Sequence, residues 1–178
     1  MKGLFKMDSK KQTPFGYVSK KVFAELRKAG WSPDRDEAGM ADSFSKTLGP
    51  HWVPAAAPFV RNFGGLSFYG RLWAWKEPIR DQDIVADESK VAEVAGSIAV
   101  PVASSSYLGD GCVIWIDESG RYYAVDSEGM IFVGDNMAAT LEVLLGGDPP
   151  PEPPPELKEK LAAAYDWSEN SDAARAES

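Results

Sequence analysis

The chain has 178 residues, of which 44% are hydrophobic and 26% are charged, so it can form one ordinary domain with a hydrophobic core but not two full domains. Its single cysteine, Cys112, excludes an intramolecular disulfide, and no segment reads as a signal peptide or reaches membrane-spanning length. We therefore expect a cytoplasmic protein that does not enter a membrane.

The formal charge of −8 is unevenly distributed along the chain. Residues 1–30 carry +6, residues 31–147 carry −9 and residues 148–178 carry −5. The body of the protein should repel nucleic acid, whose binding requires a basic surface that releases counterions. An acidic body suits a basic protein partner better.

Three helices are predicted in the first part of the chain from apolar residues at helical spacing. Tyr17–Ala29 forms an amphipathic helix that ends at Gly30, because glycine readily adopts the left-handed conformation. A weaker helix follows over Arg35–Thr47, and a third begins at about Ala55 and ends at two glycines. These glycines allow a sharp turn into a strand.

The middle of the chain mixes strand and helix signals. The aromatic-rich segment Leu66–Trp75 predicts a strand or hairpin that is broken near Gly70. Asp87–Ala95 is predicted to be helical, and Ile98–Ala103 is predicted to be a short strand. Pro101 marks that strand as an edge, since proline cannot donate a hydrogen bond to a neighbouring strand.

Three later strands are predicted to form an antiparallel meander, because the linker between each pair ends in glycine, as hairpin loops often do. They are Cys112–Ile116, Arg121–Val125 and Met130–Val133, and a helix over Asn136–Leu145 closes the domain. The predicted fold is a single α+β domain with a mainly antiparallel mixed sheet and flanking helices.

The composition divides the chain into three parts. We expect a flexible basic leader over residues 1–16, a folded domain over residues 17–147 and an acidic, proline-rich tail over residues 148–178. The tail opens on a stiff polyproline segment that should not join the core. Deleting it should then leave the thermal midpoint nearly unchanged.

Residues for catalysis are scarce. His51 is the only histidine, and no G-x-S-x-G motif is present. One cysteine and one histidine cannot complete a structural zinc site, and we expect no metal and no other cofactor. A glycosidase would need two carboxylates that face one cleft. Asp117 and Glu118 lie on one predicted hairpin turn, whereas Asp126 lies on the next turn, at the opposite end of the strands. These features argue against an enzyme.

Several short motifs occur in the order found in a known family. The first helix ends in Ala29-Gly30-Trp31, Arg35 follows in a turn, and the third helix runs into Phe63-Gly64-Gly65-Leu66. A hairpin turn then contains Asp117, Glu118 and Gly120, and the last helix contains Leu141, Glu142, Leu144 and Leu145. Over about Val18 to Gly147, this order resembles the third subfamily of the SUKH superfamily of bacterial toxin-immunity proteins.

The resemblance implies an α+β domain that binds a toxin, often a nuclease, and occludes its active site without catalysis. Other members of the superfamily are protein-binding modules in regulation, so a general interaction module stays open as the alternative. We expect the partner to be a cognate toxin protein, with no nucleic acid or membrane bound, and the chain to be a monomer or a weak homodimer.

Two groups of residues are assigned to these roles. The structural group fills the core or permits the helix-to-strand turn, and consists of Trp31, Phe63, Gly64, Gly65 and Leu66. The partner-binding group combines two tryptophans, which are either core residues or an exposed hot spot, with a stretch of carboxylates. It consists of Trp73, Trp75, Asp81, Asp83, Asp87 and Glu88. In a loop beside aromatic strands, these carboxylates could mimic nucleic-acid phosphates, or they are simply solvated.

Overall fold

The computed structural model describes residues 10–108 and 111–164 of the chain. Its α-helices are α1 (Lys20–Lys28), α2 (Ala38–Leu48), α3 (Ala57–Phe63), α4 (Gln82–Ala95), α5 (Met137–Leu141) and α6 (Pro155–Ala164). Short 3₁₀ turns at Gly49–His51 and Pro54–Ala56 precede α3, and a π-helical turn at Glu142–Gly146 extends α5.

The strands form two sheets, and every pair of neighbouring strands is antiparallel. A small hairpin joins β1 (Lys10–Thr13) and β2 (Gly16–Ser19). The main sheet has the sequential order β3-β4-β5-β6-β7-β8. Its strands are β3 (Ser67–Phe68), β4 (Leu72–Ala74), β5 (Ala99–Ser105), β6 (Cys112–Asp117), β7 (Tyr122–Asp126) and β8 (Gly129–Gly134). The α+β class and the flanking helices are thus confirmed, with an antiparallel rather than a mixed sheet.

Helices cover both faces of the main sheet. Phe63 and Phe59 of α3 contact the rings of Phe68 and Tyr122 on one face. On β6, Trp115 points to the opposite face from Ile114 and Ile116, because side chains alternate along a strand. There α4 packs on β5, and α6 packs on α4 and β8. The core therefore lies on both sides of the sheet.

The helix and hairpin predictions are confirmed for most elements. The structure contains α2, α3, the hairpin that turns at Gly70, the three-stranded meander and the closing helix. The Asn136 side chain accepts a hydrogen bond from the Ala139 N–H (2.9 Å) and so caps α5. These elements share strong local signals, since each begins or ends at a cap, a proline or a glycine.

The start of the first helix was predicted wrongly. Tyr17 and Val18 belong to β2, and α1 begins at Lys20, where the Ser19 hydroxyl accepts a hydrogen bond from the Val22 N–H (3.2 Å). The predicted flexible leader extended to residue 16, but Lys10–Thr13 pairs with β2. Residues 1–9 of that leader lie outside the described residues.

Pro101 does not mark an edge strand, because β5 lies between β4 and β6. The pairing register of β5 and β6 shifts between Pro101 and Ala103. A bulge at this point lets a central strand carry a residue that has no N–H to donate.

The tail also differs from its prediction as a loose segment. Leu157, Leu161 and Ala164 share one face of α6 and are almost fully buried. The Lys160 ammonium also donates to the Glu93 carbonyl of α4 (3.3 Å). An isolated helix of this length is marginal in water, but packing on α4 and β8 supplies the missing stabilisation. Residues 165–178 of the tail lie outside the described part.

Candidate functional site

The acidic stretch that was predicted as a loop is the start of α4. Asp81 is the N-cap, because its carboxylate accepts a hydrogen bond from the Ile84 N–H (2.9 Å). Asp83 lies in the first turn, where a negative charge interacts favourably with the helix dipole. The helix therefore begins five residues before the predicted Asp87, and both carboxylates also have a structural role.

Asp87 lies one turn further along the helix and is half-buried. Burial raises the pKa of its carboxyl group, and the nearby charges of Asp83 and Asp81 act in the same direction. Its carboxylate lies 3.7 Å from the Lys90 ammonium. The structure thus brings three of the four predicted carboxylates together at the start of α4.

Glu88 takes part in a different contact. Its carboxylate lies 3.0 Å from the Arg80 guanidinium and 2.5 Å from Nδ1 of His51. The single histidine of the chain therefore contacts a carboxylate next to an arginine. No local pattern predicts this arrangement, because His51 precedes Glu88 by 37 positions and the two side chains meet only through tertiary packing.

Apolar side chains lie among these charges. Ile79 and Val85 are 39% and 45% exposed. Both line a narrow cleft of about 10 Å³ together with His51, Glu88 and Trp115. Trp115 is buried, and its indole Nε1 has no hydrogen-bond partner among the described residues. We call this region the α4 surface; it comprises His51, Ile79, Arg80, Asp81, Asp83, Val85, Asp87 and Glu88.

The two tryptophans of the predicted hot spot have different environments. Trp73 lies on β4 between Ser67 and Ser104 and is 41% exposed. Trp75 is buried, and its indole N–H donates to the Ser104 hydroxyl (2.9 Å). Its assignment to an exposed partner-binding surface is therefore corrected, because a hydroxyl on the neighbouring strand holds the ring inward. Trp73 does not line the cleft of the α4 surface.

The residues assigned to the helix-to-strand turn lie in or beside the core. Phe63 is fully buried, Gly65 has a φ of +79° and Leu66 is partly buried. A Cβ atom on Gly64 would lie 2.6 Å from the Val60 carbonyl oxygen, so only glycine fits at this position.

Trp31 packs beside the same turn. Its ring is almost fully buried and meets the rings of Phe15 and Phe23 edge to face. Arg35, in the turn that follows Trp31, donates to the Gly64 carbonyl (2.8 Å) and ties the two segments together.

One carboxylate was predicted to lie on a hairpin turn, and its burial was not predicted. Asp117 is completely buried and accepts hydrogen bonds from Arg121 Nε (2.7 Å), the Tyr123 hydroxyl (3.0 Å) and the N–H groups of Ser119 and Arg121 (2.9 Å each). Arg121 also donates to the Ala95 carbonyl at the end of α4 (3.0 Å). We call Asp117, Arg121 and Tyr123 the Asp117 network.

The network joins the β6–β7 turn to the end of α4, and Glu156 of α6 approaches Arg121 to 4.0 Å. Burial raises the pKa of the Tyr123 phenol, which stays neutral as a donor. A signal was available in the sequence, since strand alternation places Asp117 on the same face as Trp115 and an arginine follows four residues later.

Comparison with known proteins gives one match. A family model described as SUKH-3 immunity protein matches residues 18–147. No curated protein and no solved structure matches the chain. In the described part of the chain, no three histidine, cysteine or acidic side chains are grouped so that they could hold a metal ion. No described helix has the length and apolar character needed to cross a bilayer.

Proposed function

Because the chain belongs to the SUKH-3 immunity protein family, we propose that it binds a cognate bacterial toxin, a nuclease, and neutralises it by covering the active site. Two observations carry the surface assignment. Asp81, Asp83 and Asp87 lie close together at the start of α4, and the exposed Ile79 and Val85 line a cleft with His51 and Glu88 at the same end of the helix. A surface with an apolar centre and a charged rim is typical of protein interfaces.

Charge supports a nuclease as the partner. Nuclease active sites bind phosphates and are therefore commonly basic, whereas residues 31–147 of this chain carry −9. The carboxylates at the start of α4 would occupy the positions of phosphate groups, and Val85 and Ile79 would contact apolar atoms around them. Trp73 would add an aromatic contact at the edge of the interface.

In this mechanism the chain contributes no catalytic step. Binding alone prevents the nucleic acid from reaching the toxin, and inhibition lasts as long as the complex. A nuclease toxin acts where nucleic acid is present, so we place the complex in the cytoplasm. A monomer or a weak homodimer of this chain leaves the α4 surface free for the toxin.

The proposal is tested by binding kinetics with a catalytically inactive form of the toxin encoded beside this gene. The variant Asp83→Lys/Asp87→Lys should slow association several-fold at low salt, because long-range attraction steers the encounter. The difference should shrink near 0.5 M salt, where the Debye length is about 4 Å. Val85→Ala should act mainly on dissociation, since its contacts form only after docking.

The matched control is Glu118→Lys/Glu128→Lys, which changes the net charge by the same amount at exposed positions on two hairpin turns. It should slow association less than the α4 variant does. Equal association rates for the two variants would show that the α4 surface is not part of the interface. Failure of the wild-type chain to bind or inhibit the toxin would reject the immunity function and favour a general interaction module.

A further inference from the structure

A second surface, opposite in charge to the acidic body, surrounds a cavity of about 350 Å³. The cavity lies between α1, the tip of the β3–β4 hairpin and the π-helical turn that follows α5. Its lining includes Lys21, Glu25, Lys28, Phe68, Tyr69 and Arg71. Three cations and one carboxylate therefore face a cavity in a protein whose total charge is −8.

The hairpin tip holds Tyr69 in an unfavourable backbone conformation. Tyr69 has a φ of +45° and Gly70 one of +69°, and the Arg71 N–H donates to the Phe68 carbonyl (2.9 Å). This is the geometry of a type I′ turn, in which asparagine, aspartate or glycine is usual at the first central position. Tyr69 is also 71% exposed, so its ring gains little from burial within this chain. Strain of this kind is concentrated at functional sites.

The cations around the tip are held in position by other groups. Lys28 lies 2.7 Å from the Glu25 carboxylate, and its ammonium is 5.5 Å from the centroid of the Tyr69 ring. The Arg71 guanidinium lies 5.4 Å from the centroid of the Tyr107 ring and donates to the Leu145 carbonyl (3.4 Å). The Lys21 ammonium donates to the Gly146 carbonyl. Cations ordered in this way lose less entropy when an anion binds.

A neighbouring depression extends the surface beyond a single cavity. It has a volume of about 370 Å³, and Lys28 and Tyr69 form a wall that it shares with the first cavity. Gly65 and Leu66, from the turn after α3, line its other side. Two adjoining depressions that share an aromatic ring and a cation can accept side chains i and i+2 of an extended peptide, because alternate side chains of an extended chain lie on the same face.

We infer that this hairpin-tip surface, formed by Lys21, Lys28, Tyr69 and Arg71, binds an acidic segment of a protein partner, with carboxylates near the cations and an apolar side chain against Tyr69. Tyrosine and arginine are the residue types that most often dominate such contacts. A nucleic acid fits less well, because its continuous negative charge would also meet the acidic body. The inference goes beyond toxin neutralisation, since the α4 surface has the opposite charge and uses other residues.

The test is a titration of the ¹⁵N-labelled full chain, at low salt, with the peptide acetyl-Glu-Gly-Phe-Gly-Glu-amide, followed by backbone amide shifts. In the extended peptide the two Glu side chains and the Phe side chain lie on one face. The Glu peptide should shift the amides of Lys28, Tyr69 and Arg71 in a saturable manner. The same peptide with glutamine in place of glutamate should bind at least about five-fold more weakly, since charge-assisted contacts are lost.

Variants separate binding from folding. Tyr69→Asn places a residue that tolerates positive φ at the turn, so the denaturation midpoint should not fall, while peptide affinity should drop about five-fold or more. Lys28→Gln should weaken binding, whereas Lys46→Gln, a matched change at an exposed position of α2, should not.

Three results of the peptide and phosphate titrations would overturn the inference. These are the absence of saturable shifts at the hairpin tip, equal binding of the Glu and Gln peptides, and equal shifts caused by inorganic phosphate alone at the same concentration. Tighter binding of a short single-stranded oligonucleotide at the same amides would also reject a protein partner in favour of nucleic acid.

Discussion

Asp117 and Glu88 are both carboxylates that lie within 3.0 Å of an arginine, yet their surroundings give them different roles. Asp117 is completely buried and accepts four hydrogen bonds, two of them from backbone N–H groups. The Glu88 side chain is 23% exposed and contacts a solvent-exposed histidine and arginine. The Asp117 network therefore holds the fold together, whereas the charges of the α4 surface stay accessible to a partner.

The largest expected effect follows from removing the buried carboxylate. Asp117→Ala should destabilise the fold by about 3–5 kcal/mol, because it leaves Arg121 and two backbone N–H groups without their acceptor. Glu118→Ala, at an exposed position on the same turn, should change stability by less than about 0.5 kcal/mol. Urea denaturation of both variants measures the difference. Similar midpoints for the two variants would show that burial does not separate these carboxylates.

The next effect concerns the tail helix, which covers the side of the sheet near the Asp117 network. Leu157→Ala should cost about 2–4 kcal/mol, as expected for a buried leucine. Deletion of residues 148–178 should lower the thermal midpoint by about 5–10 °C or more. Glu159→Ala, an exposed change on the same helix, is the control for a substitution by alanine that removes no buried side chain. An unchanged midpoint after the deletion would restore the sequence-based prediction of a dispensable tail.

The smallest effect is expected at the α4 surface. Glu88→Gln should lower stability by less than about 1 kcal/mol, because its ion pairs are partly solvated and screened by salt. Denaturation at low and high salt measures this contribution, which should decrease as salt is added. A loss above about 2 kcal/mol would mean that Glu88 belongs with Asp117 as a structural group.

Local signals were sufficient for a large part of the fold. The glycines that end the linkers of the meander, the turn at Gly70 and the cap at Asn136 were all readable, because each acts within a few residues of the chain. The first helix was placed too early because Tyr17 and Val18 continue the apolar pattern of α1. That pattern does not show that Lys10–Thr13 lies beside them as a strand.

The candidate site was only partly readable. The carboxylates at the start of α4 were identified as a group, but their place on a helix rather than in a loop depended on the Asp81 cap. Exposure of Ile79 and Val85 and burial of Trp75 could not be derived, because neither helical spacing nor strand alternation shows what covers a given face. The strained turn at Tyr69 gave no signal either, since tyrosine is common in strands.

The sequence by itself determined the α+β class, the order of most elements and the family, because caps, turn glycines and apolar spacing act over short distances along the chain. Only the tertiary structure decided which charges are buried, which aromatic rings are exposed and whether the tail packs on the domain. Those properties depend on neighbours far apart in sequence, such as Arg121 with the end of α4, or α6 with α4 and β8. Because such neighbours decide whether a side chain is buried, one carboxylate can be structural while another, elsewhere in the chain, is available for binding.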